Sequence, residues 1–262
     1  MADRDDVIRK VQALWAKADA TNFEAEREAF VAKARDLMAQ YTIDEMVLQE
    51  AGQGAVEAVV MADIRIMFDD DKDSNDVADQ RIMLANFIGI HNRCKCVVRR
   101  MPASVGEDGR PIRAGTYLTA VGFKSDVDTV RAMYSLIAVD MMFCMLQEPT
   151  SHMRAAEKRN YFANFADGYA WRISERLAEI NRKVHDMAEH TETSHGSMAL
   201  VLQSREVEVA DRFAQMFPKL GKQKVAKFSH DPNAQKRGQR AAENADLGGK
   251  KVGQGSPKGE LR

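Results

Sequence analysis

Residues 161–177 read Tyr-Phe-Ala-Asn-Phe-Ala-Asp-Gly-Tyr-Ala-Trp-Arg-Ile-Ser-Glu-Arg-Leu, and this stretch decides the fold. Its large apolar residues recur every three or four positions, and the repeat continues to residue 187. That spacing places them on one face of an α-helix. The pattern predicts a helix from about Arg154 to Ala188 with this apolar stripe: Phe162, Phe165, Tyr169, Ile173, Leu177, Ile180, Val184 and Met187.

Aromatic and basic side chains also interleave along this stretch, and proteins that stack single-stranded nucleic acid use such a mixture. The alternative is that the aromatic residues belong to the core. The period of the Phe and Ile positions favours the core. The residues concerned are Arg159, Tyr161, Phe162, Phe165, Tyr169, Trp171, Arg172 and Arg176.

A second long helix is predicted just before this one. Ser125 or Asp126 can serve as its N-cap, and Pro149 ends it. Because residues 132–146 are apolar on nearly every side, we expect this helix to be central and buried. Asp140, the one carboxylate in that run, should then lie on a polar edge or pair with an arginine. The core positions are Val127, Val130, Tyr134, Ile137, Met141 and Cys144.

Three strands are predicted from β-branched runs bounded by Gly, Pro and polar residues. They cover Val56–Phe68, Arg93–Met101 and Arg113–Val121, with a helix at Val77–Ile90 between the first two. Further along, the apolar run 197–203 fits a strand or a helix. Residues 206–217 are helical, and Asp231 with Pro232 forms the N-cap and first turn of a helix that continues to about Asp246.

The first fifty residues predict a short helical hairpin. Thr21 precedes Glu24 by three residues, and Thr42 precedes Glu45 by three, which is the spacing of a capping box. The apolar positions recur at helical spacing on both sides of Thr21: Ile8, Val11, Trp15 and Ala18, then Phe23, Ala29, Phe30, Leu37 and Met38.

These residues carry a resemblance to a known family. The hairpin, with Ile8-Arg9-Lys10, Glu24-Ala25-Glu26 and Tyr41-Thr42-Ile43, resembles the N-terminal module of the bacterial and phage family called Domain of Unknown Function 2786. The segment Gly122–Val127 before the first long helix is similar to a second landmark of that family. The resemblance implies a protein of a phage or of a bacterial, for example actinobacterial, host, and it assigns no activity and no functional residue.

The fold class that follows is α+β and helix-dominated. We expect a helical hairpin module at residues 1–52, a core domain with a small three-stranded sheet and two long helices at residues 55–218, and a basic, partly disordered tail at residues 219–262.

Composition limits the function classes. The chain has 262 residues, of which 45% are hydrophobic and 29% charged. No apolar run reaches the roughly 20 residues of a membrane span, and the charged N-terminus lacks a signal-peptide core. The three cysteines are Cys94, Cys96 and Cys144, an odd and sparse count that is typical of a reducing compartment. These features predict a cytoplasmic protein with no membrane partner.

Charge is unevenly distributed. Residues 219–262 contain eight lysines and three arginines against four acidic residues, a net +7 in a chain whose total is −1. Such a segment can bind DNA or RNA by neutralising phosphates; the alternative is a solvated segment without a partner. The candidate phosphate ligands are Lys222, Lys224, Lys227, Lys236, Arg237, Arg240, Lys250 and Lys251.

A metal site is the competing interpretation. His185, Glu189, His190 and His195 cluster near a predicted helix end, and zinc or manganese accepts such ligands. Their spacing matches no established metalloenzyme motif, so an exposed polar helix end explains them as well. Cys94 and Cys96 without a second cysteine pair favour small core residues over a zinc site.

The sequence therefore favours a non-enzymatic accessory protein that binds nucleic acid or a nucleic-acid-associated partner, without a cofactor. One alternative is a metal-dependent hydrolase or nuclease built on His185–His195. Another is a protein-interaction adaptor that contacts a host or phage protein through the hairpin.

Overall fold

The computed structural model describes residues 57–68, 77–105, 109, 111–190, 192–193, 196–221, 229–245 and 247, together with nine single positions between Lys10 and Leu37. The strands in these residues are β1 Val59–Phe68, β2 Lys95–Met101, β3 Ser104–Val105, β4 Pro111–Ile112, β5 Gly115–Phe123, β6 Glu192–Thr193 and β7 Gly196–Ser197. The helices are α1 Ala78–His91, α2 Lys124–Leu146, α3 Ala155–Glu189, α4 Met198–Met216 and α5 Pro232–Glu243. The predicted helix-dominated α+β class is confirmed, while the hairpin at residues 1–52 lies largely outside the described residues.

An antiparallel sheet of three strands forms the centre of the fold. Its order is β1-β5-β2, so β5 pairs with both edge strands. Alternate residues along each strand point to opposite faces. One face carries Ile64, Leu118 and Val98 into the main core, where α1 and α2 cover it and α3 packs on those two helices. The small three-stranded sheet predicted from the sequence is confirmed.

Helix α4 lies over the opposite face of the sheet. Its Arg205 guanidinium stacks on the Phe123 ring at 3.6 Å from the ring centroid. A second apolar cluster joins Val201 and Leu202 of α4 to Val184 and Ala188 near the end of α3. The sequence pattern was compatible with either a strand or a helix at residues 197–203, and it predicted a separate helix at residues 206–217. The structure shows one continuous helix from Met198 to Met216.

Two expectations for α2 are wrong. The helix begins two or three residues earlier than predicted, with Phe123 at the N-cap position, and the Glu57 carboxylate accepts the hydrogen bond of the Ser125 backbone N–H. Asp126 is instead buried and paired with Arg93. The helix is also not buried on all sides, because only one face packs on the core. Asp140 accepts a hydrogen bond from the Tyr169 hydroxyl at 2.5 Å, so its partner is a tyrosine.

Helix α5 packs on α3 with almost no space between the two backbones. A Cβ added to Gly238 would lie 1.9 Å from the Phe165 carbonyl oxygen, and one added to Gly168 would lie 2.1 Å from the Gln235 carbonyl oxygen. Only glycine permits this approach, because every other residue has a Cβ at that position. The predicted helix after Asp231 is confirmed, and the Asp231 side chain accepts hydrogen bonds from the backbone of Asn233 and Ala234.

Polar side chains of α3 fix both ends of α5. The Asn164 amide donates to the Ser229 carbonyl at 2.8 Å and accepts from the Asp231 backbone at 2.9 Å. At the other end, buried Arg176 donates to the Ala242 and Ala245 carbonyls. Helix C-termini leave such carbonyls without intrahelical partners, so Arg176 satisfies them. The part of the predicted tail from residue 229 to 245 is therefore packed into the core.

We expect Gly238→Ala to destabilise the protein by about 1–3 kcal/mol, the usual cost of overpacking a tight interior. The loss should appear although alanine favours a helix over glycine by about 0.5–1 kcal/mol. Urea unfolding followed by circular dichroism measures the change. Gly221→Ala is the matched control, because no atom of the described residues outside its chain neighbours lies within 4 Å of the added Cβ there. Equal midpoints for Gly238→Ala and wild type would contradict the packing argument.

Candidate nucleic-acid interface

The outward face of α5 carries two exposed cations. Lys236 and Arg240 are exposed, and neither forms an ion pair within the described part of the chain. Arg237 differs, since its guanidinium forms two hydrogen bonds with Glu148 at 2.5 and 3.1 Å. This hydrogen bonding to Glu148 raises the pKa of Arg237. Of the three predicted phosphate ligands that the structure describes, Lys236 and Arg240 are therefore available to bind phosphate, whereas Arg237 is paired with Glu148.

The acidic residue of the same helix is neutralised. Glu243 pairs with Arg172 of α3 at 2.6 and 3.2 Å. That hydrogen bonding, together with contributions from Glu175 and Glu179, raises the pKa of Arg172. Because Arg172 compensates Glu243, the outward charge of α5 comes from Lys236 and Arg240.

The remaining five predicted ligands lie outside the described residues. Lys222, Lys224 and Lys227 precede α5 in the sequence, and Lys250 and Lys251 follow it. Helix α5 thus stands between two lysine-rich stretches of sequence. The structure brings Lys236 and Arg240 together on one short helix and leaves the grouping of the other five a prediction.

The metal-site residues are only partly described. His185, Glu189 and His190 are all exposed near the C-terminal end of α3, and the His190 Nδ1 atom lies 2.7 Å from the Asp186 carbonyl oxygen. His195 lies outside the described residues. Within the described residues, no group of three or more His, Cys, Asp or Glu side chains could hold a metal ion. A site that uses His195 stays a prediction.

The cysteines are structural within the core. The Cys94 and Cys96 sulfur atoms fill the space beside Gly122 and Gly89, where an added Cβ would lie 2.5 and 2.3 Å from them. Burial raises the pKa of the Cys94 thiol and raises that of Cys96 to about 12. Both thiols are therefore protonated at neutral pH, which agrees with the expectation of small core residues.

The aromatic stripe of α3 is core, as its period predicts. Tyr161, Phe162, Phe165 and Tyr169 are buried, so they are not a stacking platform for bases. Trp171 is the exception with 48% of its surface exposed, and its ring lies 4.9 Å from that of Phe87 on α1.

A hydrogen bond between His91 and Ser174 joins α1 to α3. The His91 Nε2 and Ser174 Oγ atoms are 2.9 Å apart, and the Asn181 amide donates to the His91 carbonyl. Burial lowers the pKa of His91. A nucleophilic serine also needs a group that orients the histidine, and among the described residues no carboxylate contacts this ring. The pair acts as a link between helices.

One polar assembly was not predicted from the sequence. Glu57, just before β1, bonds the α2 backbone at Ser125 and pairs with Arg205 of α4 at 3.0 Å. Beside them, a surface cleft of about 460 Å³ is lined by Glu57, Lys124, Ser125, Asp128, Thr129 and Ala132. The motif Gly122–Val127 drew attention to this turn, but nothing in the sequence links it to a carboxylate 68 residues earlier.

Comparison with known proteins gives one match. The sequence model of a protein family of unknown function, DUF2786, matches residues 6–45, and the resemblance of the hairpin to that family is confirmed over these residues. No curated protein and no solved structure matches the chain.

We expect the stabilising effect of Glu57 to depend on pH. Burial by itself would raise the pKa of this carboxyl, but hydrogen bonds from Ser125 and Arg205 outweigh it and hold the pKa below its ordinary value. A carboxyl with a lowered folded-state pKa stabilises the protein above its unfolded-state pKa and loses that effect as the pH falls through the folded-state value. Glu57→Gln should therefore cost about 1–3 kcal/mol at pH 7 and much less near pH 3.

Urea unfolding at both pH values measures this difference. Glu206→Gln, at an exposed position of α4, is the control and should follow wild type at each pH. A Glu57→Gln penalty of the same size at pH 7 and pH 3 would show that Glu57 does not act through its charge.

Proposed function

We propose that this protein is a non-enzymatic phage or bacterial accessory protein that binds nucleic acid through its basic C-terminal region. The observation that carries the proposal is the way α5 packs on the core. This attachment leaves Lys236 and Arg240 exposed on the outer face of the helix, and neither forms an ion pair within the described residues. A cytoplasmic location accompanies the proposal, because DNA and RNA are found there and the three cysteines are free thiols.

The binding would be electrostatic and largely independent of sequence. Lysine and arginine bind phosphates by releasing condensed counterions, so affinity falls linearly with salt on a log–log plot. Contacts of this kind position a protein on nucleic acid without reading bases. Lys236 and Arg240 would supply two fixed phosphate contacts, and lysines of the flanking sequences would supply the rest.

The packing of α5 decides how the proposal must be tested. Deleting the chain after Pro218 would remove the predicted cations, but it would also remove Ala234, Ala242 and Leu247 from the core. Lost binding would then be ambiguous. Side-chain substitutions on the surface of the full chain avoid this problem.

We expect the full chain to bind mixed-sequence single- or double-stranded DNA or RNA with strong salt dependence, and Lys236→Gln/Arg240→Gln to weaken it. Each phosphate contact contributes a log–log slope of about −0.9 on a duplex or −0.7 on a single strand. The double variant should reduce the magnitude of the slope by between about 1 and 2 units on that basis. Fluorescence anisotropy across a salt series measures both quantities.

Arg182→Gln/Arg212→Gln is the matched control. It removes two positive charges from exposed positions of α3 and α4 that form no ion pair within the described residues. It should leave the slope close to wild type. No binding at low salt by wild-type protein, or equal losses in the two double variants, would overturn the proposal and favour a protein-binding adaptor.

A further inference from the structure

Helix α2 carries an apolar stripe on the face that points away from the core. Leu136, Val139, Phe143 and Leu146 are 38%, 69%, 62% and 70% exposed, and Ala132 is exposed one step before them. These five residues, called the α2 seam here, follow spacings of four, three, four and three. This is the heptad spacing by which one helix packs lengthwise against another.

The seam is distinct from the buried face of the same helix. Val130, Tyr134, Ile137 and Met141 pack into the core from the other side. By length and composition α2 could cross a membrane, but a core helix of a soluble protein passes the same test. Because α2 packs on the sheet and its exposed apolar residues follow heptad spacing, a helical partner is favoured over a membrane.

The N-terminal part of the same chain, residues 1–56, is a candidate partner for α2. Glu57, where the continuous described structure begins, is bonded to Ser125 in the first turn of α2 and to Arg205. The cleft beside Glu57 extends along α2 as far as Ala132, the first residue of the seam. Residues 1–56 are therefore tethered at one end of the seam.

The tether is long enough for docking along the whole helix. Residues 46–56 separate the family match from Glu57, and eleven residues span at most about 36–40 Å. Helix α2 has 23 residues, or about 35 Å at about 1.5 Å per residue. A short tether of this kind gives an effective local concentration in the millimolar range.

The sequence of residues 8–41 has the matching repeat. Ile8, Val11, Trp15 and Ala18 follow spacings of three, four and three, and Phe30, Ala34, Leu37 and Tyr41 follow four, three and four. Apart from residues 1–7 and the connecting residues 42–56, the other stretches outside the described residues (69–76, 106–108, 194–195, 222–228 and 248–262) contain no such repeat. A unit of roughly 40 residues also buries too little surface to be stable without support.

We propose that the segment of residues 8–41 docks on the α2 seam of its own chain. The docked segment buries Leu136, Val139, Phe143 and Leu146 by helix–helix packing and converts two marginal apolar surfaces into one core. This inference is independent of the proposed nucleic-acid binding, since it rests on a different helix.

Hydrogen–deuterium exchange of the full chain tests the docking, with Val139→Glu/Phe143→Glu as the disrupting variant. Peptides from residues 8–41 should exchange slowly in wild type and about tenfold faster or more in the variant, because undocked segments lose protection. Leu200→Glu/Val207→Glu is the control, because Leu200 and Val207 lie on α4 and are 57% and 54% exposed, respectively. It should leave exchange in residues 8–41 unchanged.

Peptides from β5 establish that each variant is folded, and light scattering gives the mass in solution. A monomer whose residues 8–41 lose protection only in the α2 variant supports docking within one chain. Equal exchange of residues 8–41 in all three proteins overturns it. So does a wild-type dimer that the α2 variant converts to monomer without a change in that exchange, since a second copy would then cover the seam.

Discussion

The contact between the backbones of α3 and α5 is the constraint on which the rest of the structure depends. Gly168 and Gly238 allow the two helices to touch without intervening side chains. The same stretch of α3 supplies Phe165 and Tyr169 to the main core and Arg176 to the end of α5. One helix therefore organises the core on one side and fixes the C-terminal helix on another. The cations of α5 are held at set positions relative to the sheet as a result.

The arginines of this region have similar surroundings in the sequence and different roles in the structure. Arg176 is buried and satisfies carbonyl groups. Arg172 and Arg237 neutralise Glu243 and Glu148. Arg240, with Lys236, is left without an ion pair within the described residues. Net charge along a segment overstates the charge that a phosphate would meet, because ion pairs and buried caps remove part of it. Burial and pairing, rather than the count of basic residues, single out the two side chains worth testing.

Periodicity predicted the helices and strands well, because it records which face of each element is buried. The stripe of α3 was found in this way, while local residue types located the strand β1 and the N-cap at Asp231. Contacts between residues that are far apart in the sequence were not predicted. The cap of α2 comes from Glu57 and not from Ser125 or Asp126, and a carboxylate 68 residues away leaves no local signal. Gly238 likewise reads as an unremarkable helix glycine until Phe165 is placed against it. The metal and phosphate residues were nominated by composition alone, which cannot establish whether side chains converge.

The sequence predicted that α2 is buried, but one of its apolar faces is exposed. This difference shows what an apolar composition does and does not establish. A helix that is apolar on nearly all sides needs cover on all sides, but the sequence does not say that its own core provides it. In α2 the core covers Val130, Tyr134 and Met141, while Val139, Phe143 and Leu146 remain outside. Exposed apolar residues scattered singly need no explanation, whereas a continuous row at heptad spacing does. The row is therefore best understood as half of an interface. Glu57, from which residues 1–56 extend, is bonded to the first turn of α2 and lines the cleft that reaches the first residue of the row.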